Sequence, residues 1–311
     1  MNSLSRQAVR KSERLILTKH LPMVMEMAPE CVPCLLGRVL FEVELCNPRK
    51  SGAAMKDALK VLKEGFEPGA NSAEVATRVH QRAYQVMGCA DPYLDLKIRS
   101  QEIARELFPR AQCLVESSSD RLEAAALAAI AGNVMDFGIA GLDDPTALLR
   151  QFDAIIRQGL DVNDLSKVRQ RLAGAKKVVY LLDNCGEDVL DTLLIREIRA
   201  LGPWVIGVVK GEPILTDVTM EDLRRSGVDK EFDEVLTTGM FAVGVSVKGM
   251  GDHLRRELGE ADLIISKGMA NFESLSDAQF HPIAYLMRAK CRPVAEAVGA
   301  RKDDNVLRMV E

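Results

Sequence analysis

The sequence predicts an α/β protein, a Rossmann-like α/β/α unit with a mostly parallel sheet preceded by a helical N-terminal region, and three observations carry that expectation. From about residue 160 onward, short β-branched runs end in polar or glycine-containing loops, each followed by a helical stretch. The runs are apolar on both faces, as strands covered on both sides must be. From 51 to about 159 the apolar spacing is helical and no strand-like alternation interrupts it. A boundary near Gly159 divides the 311 residues into 1–159 and 160–311, in keeping with a chain longer than one hydrophobic core usually serves.

Taken in order, Met55, Ala58, Leu59 and Leu62 recur at helical spacing, as do Val75, Val79, Ala83 and Val86. The Ala-rich run from 121 to 137 predicts a helix whose small side chains let a neighbour approach closely. Lys177-Val-Val-Tyr-Leu-Leu182 reads as the first strand, Asp183-Asn-Cys-Gly-Glu187 as its loop and 188–201 as the following helix. Val205-Ile-Gly-Val-Val209 precedes the loop Lys210-Gly-Glu-Pro213 and a helix over 220–226. Glu234-Val-Leu236 runs into Thr237-Thr238-Gly239, and Leu263-Ile-Ile265 runs into Ser266-Lys-Gly-Met-Ala-Asn271. Ligands of open parallel sheets bind beyond the carboxyl ends of the strands, so these four loops are the site candidates.

Composition narrows the function. Hydrophobic residues are 47% and charged residues 28%, a globular balance that excludes disordered and fibrous classes. A net charge of -4 speaks against a dedicated nucleic-acid binder, and 5% aromatics against base stacking. No apolar run reaches the roughly 20 residues of a membrane span, and residues 1–15 contain no apolar core of a signal peptide. Seven cysteines, an odd number scattered along a long chain, point to a reducing compartment, so the expectation is a cytoplasmic protein.

The loop residues suggest chemistry. Asp183 and Asn184 place hard oxygen donors at a strand end, suited to Mg²⁺ or Mn²⁺, although an Asp-Asn pair before a helix also serves as a cap or turn. Asp217 adds a carboxylate after the second strand, as ligand, general base or cap. Lys267 beside Gly268 can meet an anion, or can be a solvated lysine in a loop; Thr237, Thr238 and Gly239 supply hydroxyl and amide donors. Asn133 and Asp136 lie three residues apart, facing a cleft or finishing a helix. Cys31-Val-Pro-Cys34 is a single CxxC pair with no second pair at zinc-site spacing and no strand before it, leaving paired thiols or a distant contribution to a metal site. Phosphate-loop, nucleophile-elbow and dinucleotide fingerprints are absent, as is the Asp-x-Asp of aspartyl-phosphate enzymes.

Six motifs in order carry a family resemblance: Cys31-Val-Pro-Cys34, Gly132-Asn-Val-Met-Asp-Phe-Gly138, Asp183-Asn-Cys-Gly-Glu187, Pro213-Ile-Leu-Thr-Asp217, Lys267-Gly-Met-Ala-Asn-Phe-Glu273 and Ala289-Lys-Cys-Arg-Pro-Val294. With these the chain resembles the metal-dependent damage-control phosphatases, formerly a domain of unknown function, in the subfamily that bears a CxxC. The resemblance implies a divalent metal (Mn²⁺, Ni²⁺, Co²⁺ or Mg²⁺) held by Asp183, Asn184 and Asp217, with Asp183 and Asp217 as the catalytic carboxylates. It implies Lys267, Thr237, Thr238 and Gly239 around the phosphate, and Asn133, Asp136, Glu187 and Asn271 along the cleft. The implied reaction is hydrolysis of a small phosphorylated metabolite, a sugar phosphate or a damaged purine nucleotide or precursor, by direct attack of water. A non-catalytic sugar-phosphate or nucleotide-binding module is the alternative. A Rossmann-like methyltransferase is a more distant one, since no Gly-rich loop follows the first strand.

Overall fold

The computed structural model describes residues 25–133 and 147–311. Five helices precede the sheet in the first of these segments: α1 (Cys31–Cys46), α2 (Ser51–Gly65), α3 (Ser72–Met87), α4 (Leu94–Ser117) and α5 (Arg121–Gly132). The expected periodicity is the buried stripe: Ala58 and Leu62 on α2, and Val75, Val79 and Ala83 on α3, are enclosed, whereas Leu59 is exposed. Helix α3 begins where Asn71 Oδ1 accepts from the backbone N–H groups of Ala73 and Glu74, satisfying donors that an uncapped end would leave open. The Ala-rich α5 is buried all round, as its composition predicts for a helix in close approach to its neighbours.

From α6 (Ala147–Gln158) onward, strands and helices alternate as β1 (Val162–Asn163), α7 (Leu165–Leu172), β2 (Lys177–Leu181), α8 (Glu187–Arg199), β3 (Trp204–Val209) and α9 (Met220–Ser226). They continue as β4 (Glu234–Thr237), α10 (Asp252–Gly259), β5 (Leu263–Lys267), α11 (Gly268–Leu275), β6 (Ile283–Arg288), α12 (Arg292–Ala297) and β7 (Asn305–Val310). The seven strands lie in the order β1-β7-β6-β5-β2-β3-β4. The five from β6 to β4 are mutually parallel, β7 runs antiparallel to β6, and β1 pairs parallel with β7.

The sheet is covered on both faces. Val178, Tyr180, Ile265 and Leu286 pack with the helices of the N-terminal region and α8, in one hydrophobic cluster that extends from Met27 to Met309. Val179, Leu181, Ile264 and Met287 point the other way, against Leu254 of α10, Phe272 of α11 and Val294 of α12. Alternate residues of each strand thus enter different cores, which is why the runs carry no polar face. The four strands read from the sequence are β2, β3, β4 and β5; β1, β6 and β7 were not read. Ile283-Ala-Tyr-Leu-Met-Arg288 contains more helix formers than strand formers, and β1 is two residues long, too short for any period. Among the described residues, no helix is long and apolar enough to cross a membrane.

Candidate functional site

The parallel order brings the β2 and β3 ends side by side, and their loops then pair with one another. Asn184 and Asp217 form an antiparallel bridge, Val218 N–H donates to the Asp183 carbonyl at 2.8 Å, and Cys185 N–H donates to the Thr216 carbonyl at 2.8 Å. These bonds satisfy the loop backbones and present Asp183, Asn184 and Asp217 to one cavity of about 140 Å³. The helical region contributes to the same lining Cys31, Cys34 and Arg38 of α1, and Ser72, Ala76 and His80 of α3. Glu273 of α11 and Cys291 complete the rim.

Behind the cavity lies a buried polar cluster. Asn133, the residue closing α5, and Asn184 each aim an amide nitrogen at the same two oxygens. Asn133 Nδ2 donates to Asp183 Oδ2 at 3.0 Å and Glu187 Oε2 at 2.8 Å, and Asn184 Nδ2 donates to them at 2.6 and 3.0 Å. Thr216 Oγ1 donates to Asn184 Oδ1 at 2.6 Å, which sets the direction of that amide. Lys267 Nζ donates to Glu187 Oε1 at 2.6 Å, Asp191 Oδ1 at 2.5 Å and the Ala129 carbonyl at 3.1 Å. Burial opposes the charge on Lys267, yet the carboxylates of Asp191 and Glu187 hold its pKa above the usual lysine value. Burial pushes the Asp191 carboxyl up to about 7, against the pull of the Lys267 ammonium. Asp188, the next acid along α8, is pushed up to about 6 by burial, with bonds from Gly186 N–H and the Gln101 amide working against it.

A glycine is obligatory beside this cluster. Gly268 has φ +74°, and a Cβ built on it would lie 1.8 Å from Asp183 Oδ2. The backbone turning from β5 into α11 therefore rests directly on the Asp183 carboxylate, and only a residue without a side chain fits.

The remaining expected residues are distributed as follows. Asn271 accepts from Lys210 Nζ at 3.1 Å and donates to the carbonyls of Leu182 and Lys267, and Lys210 Nζ is 3.3 Å from Asp217 Oδ2. Asn271 thus supports the loop from behind. Lys267 and Glu187 also sit behind the cavity and are not among its lining residues. Thr238 is buried and its hydroxyl accepts from Gly211 N–H at 3.0 Å, while Thr237 and Gly239 are exposed, and none of the three lines the cavity. Asp136 lies outside the described residues. Cys31 and Cys34 open α1 at the cavity rim near Cys291, and all seven cysteines are free thiols. Burial, reinforced by the charge of Glu273, pushes the Cys31 thiol up to about 11; burial pushes Cys291 up to about 12.

The family model of the damage-control phosphatase ARMT1-like domain matches residues 27–306, which include every element that walls this cavity. The chain belongs to the damage-control phosphatase ARMT1-like family. It is 41% identical over 290 residues to a damage-control phosphatase of Archaeoglobus fulgidus, covering 92% of this chain and all of that one. A damage-control phosphatase of Pyrococcus horikoshii is 30% identical over 281 residues, covering 89% of this chain and 96% of the other. The fold likewise superposes on the crystal structure of a family protein from Pyrococcus horikoshii with a TM-score of 0.81 at 30% identity, covering 92% of this chain and 99% of that chain.

Among the described residues, no group of three or more His, Cys, Asp or Glu side chains could by itself hold a metal ion. The donor set of this damage-control phosphatase family member at the strand ends is two carboxylates and one amide, all hard oxygen donors that suit a small divalent cation. Asp183 and Asp217, with Glu187 and Asp191 near them, are buried carboxylates set among the buried cations Lys210, Lys267 and Arg38.

Sequence reasoning missed Arg38, Glu42, His80, Asp191 and Lys210. A signal existed for two of them: Arg38 and Glu42 fall on the α1 face otherwise formed by Leu35, Val39 and Val43, where an unpaired charge would be costly.

Proposed function

We propose that this chain is a metal-dependent phosphomonoesterase. Its substrates are small phosphorylated metabolites, sugar phosphates or damaged purine nucleotides and their precursors, and water attacks phosphorus directly without a phospho-enzyme. The observation that carries this reading is the meeting of Asp183, Asn184 and Asp217, from two different strand ends, on one cavity lined by Arg38. A divalent cation held by those three residues, Mn²⁺, Ni²⁺, Co²⁺ or Mg²⁺, would supply charge neutralisation and polarisation at the phosphoryl oxygens.

The chain's own residues do the rest. Asn133 and Asn184 fix the Asp183 carboxylate through its Oδ2, so it meets the substrate already oriented. Asp217, backed by Lys210, lies where a carboxylate can take a proton from the attacking water. Arg38 is the one Lys or Arg among the described lining residues and faces the phosphate with a fork of donors. Lys267 acts from behind by balancing Glu187 and Asp191, in reach of the phosphate only through the groups it orders. In this reading residues 160–311 supply the metal and phosphate side, and the helical region closes the cavity and excludes water.

The test is Asp183→Ala against wild type, on an aryl phosphate with each of the four metals, with circular dichroism to verify folding. The expected result is loss of phosphate release in a folded protein. Undiminished turnover would remove Asp183 from the reaction, and wild-type protein inert with every metal would favour a binding module.

A further inference from the structure

The helices beside the cavity hold an ionisable pair to which the proposed reaction gives no role. His80, on the buried face of α3, is 1% exposed, and Glu42, on the buried face of α1, is 0% exposed. The His80 Nδ1 lies 2.8 Å from Glu42 Oε1 and 3.1 Å from Oε2, and the Tyr93 hydroxyl lies 3.5 Å from Glu42 Oε1. A carboxylate can only accept, so the hydrogen-bond network assigns a proton to Nδ1 and fixes the ring by that bond. The other ring nitrogen, Nε2, has no hydrogen-bond partner among the described residues, and His80 lines the same cavity as Asp183, Asn184 and Asp217.

The packing does not account for this pair. Val75, Val79 and Ala83 around it are ordinary core residues, and a histidine serving only as core would have both nitrogens closed off by buried partners. Among the described residues, Glu42 is the partner found for His80, at Nδ1 alone. The two helices thus bring a carboxylate-oriented imidazole to the cavity that the strand-end carboxylates also line. An in-line displacement needs separate groups for its attacking and leaving oxygens, and the strand ends and the helical region supply separate groups to one cavity.

We propose that His80, oriented by Glu42, is the proton donor to the leaving-group oxygen; this rests on the phosphomonoesterase reading above. The water oxygen bonds to phosphorus and yields one proton to Asp217, keeping the other as the P–OH hydrogen. The bond from phosphorus to the ester oxygen breaks with its electron pair going to that oxygen, which takes the Nε2 proton of a doubly protonated His80 and leaves a neutral ring with its proton on Nδ1 against Glu42. An alcohol and inorganic phosphate leave, Asp217 passes its proton to solvent, and Nε2 is reprotonated from solvent. His80 is the catalytic residue of the pair and Glu42 the positioning residue.

The experiment compares two leaving groups in one preparation of each variant, with the metal that supports the highest wild-type turnover. p-Nitrophenyl phosphate expels a stabilised phenolate that departs without a proton, whereas glycerol phosphate expels an alkoxide that needs one. His80→Gln is expected to raise the ratio of kcat/KM for p-nitrophenyl phosphate to that for glycerol phosphate by roughly 10²-fold, the low end of general-acid contributions. Glu42→Gln is expected to raise it in the same direction by a smaller factor. Because both rates come from one sample, any unfolded fraction scales them alike and leaves the ratio untouched. An unchanged ratio in His80→Gln, whether both rates fall or neither does, overturns the assignment. Wild-type protein inert on both substrates overturns instead the phosphatase reading on which it rests.

Discussion

Replacing Lys267 with methionine separates two roles that one side chain could have. In the structure the ammonium is enclosed, bonded to Glu187 and Asp191 and to the Ala129 carbonyl. Lys267→Met keeps the four-atom stem of the side chain without its ammonium and leaves two buried carboxylates without their cation. Removing one partner of a buried ion pair costs about 3–5 kcal/mol, because the other charge stays desolvated. With an unfolding entropy of roughly 2 cal/mol/K per residue over 311 residues, that is a fall in Tm of about 5–8 °C.

The loss has a pH signature. Asp191 has a folded pKa raised to about 7, above its unfolded value, so its folded state binds the proton more tightly and its contribution to stability falls as pH rises from about 4 to 7. Without Lys267 the folded pKa moves higher still. Below pH 7 both proteins then fold with Asp191 protonated, and the part of the deficit that comes from Asp191 opens above pH 7. Thermal denaturation of both proteins at pH 6 and pH 8 measures this: the gap in Tm should widen at pH 8. An unchanged Tm at both values, together with a raised KM, would refute the reasoning and place the ammonium on the substrate phosphate, the contact that the family resemblance implies.

Two further predictions concern neighbouring residues. Gly268→Ala must displace the Asp183 carboxylate by about 1.5 Å to bring the 1.8 Å approach to ordinary contact, in a left-handed backbone that itself costs an alanine roughly 1–2 kcal/mol. Phosphate release should fall about 10²-fold or more with the fold retained by circular dichroism, and wild-type kcat would show that the carboxylate position is not required. Cys291, with its thiol pushed up to about 12, is a thiol at neutral pH, so alkylation by iodoacetamide followed by mass spectrometry should accelerate steeply from pH 8 to pH 10. A rate independent of pH over that interval would contradict the burial of this sulfur.

Much of the strand-end site was legible because its residues are local in sequence. Asp183 and Asn184 follow an apolar run, Asp217 follows the next, and a parallel sheet places consecutive strand ends on one edge. The helical wall was not legible in the same way. Arg38, Glu42 and His80 belong to helices whose apolar stripes look like ordinary core, and His80 meets Glu42 only because α1 and α3 pack together across 38 residues of chain. Lys267 illustrates the opposite difficulty: a lysine after a strand reads as a group reaching outward, and its partners Glu187 and Asp191 are about 80 residues away.

Hydrophobic period, turn chemistry and the order of six motifs are properties of neighbouring residues, and from them the sequence by itself determined the class of fold, the strands β2 to β5 and the family. Which charged groups face the cavity and which are sealed behind it depends on contacts between distant segments. The tertiary structure alone decided that Lys267 neutralises buried carboxylates, that Gly268 abuts Asp183, and that a Glu–His pair brings its imidazole to the cavity of the strand ends. The physical reason is that burial changes what a charged side chain can do, and burial is fixed only when separate elements pack.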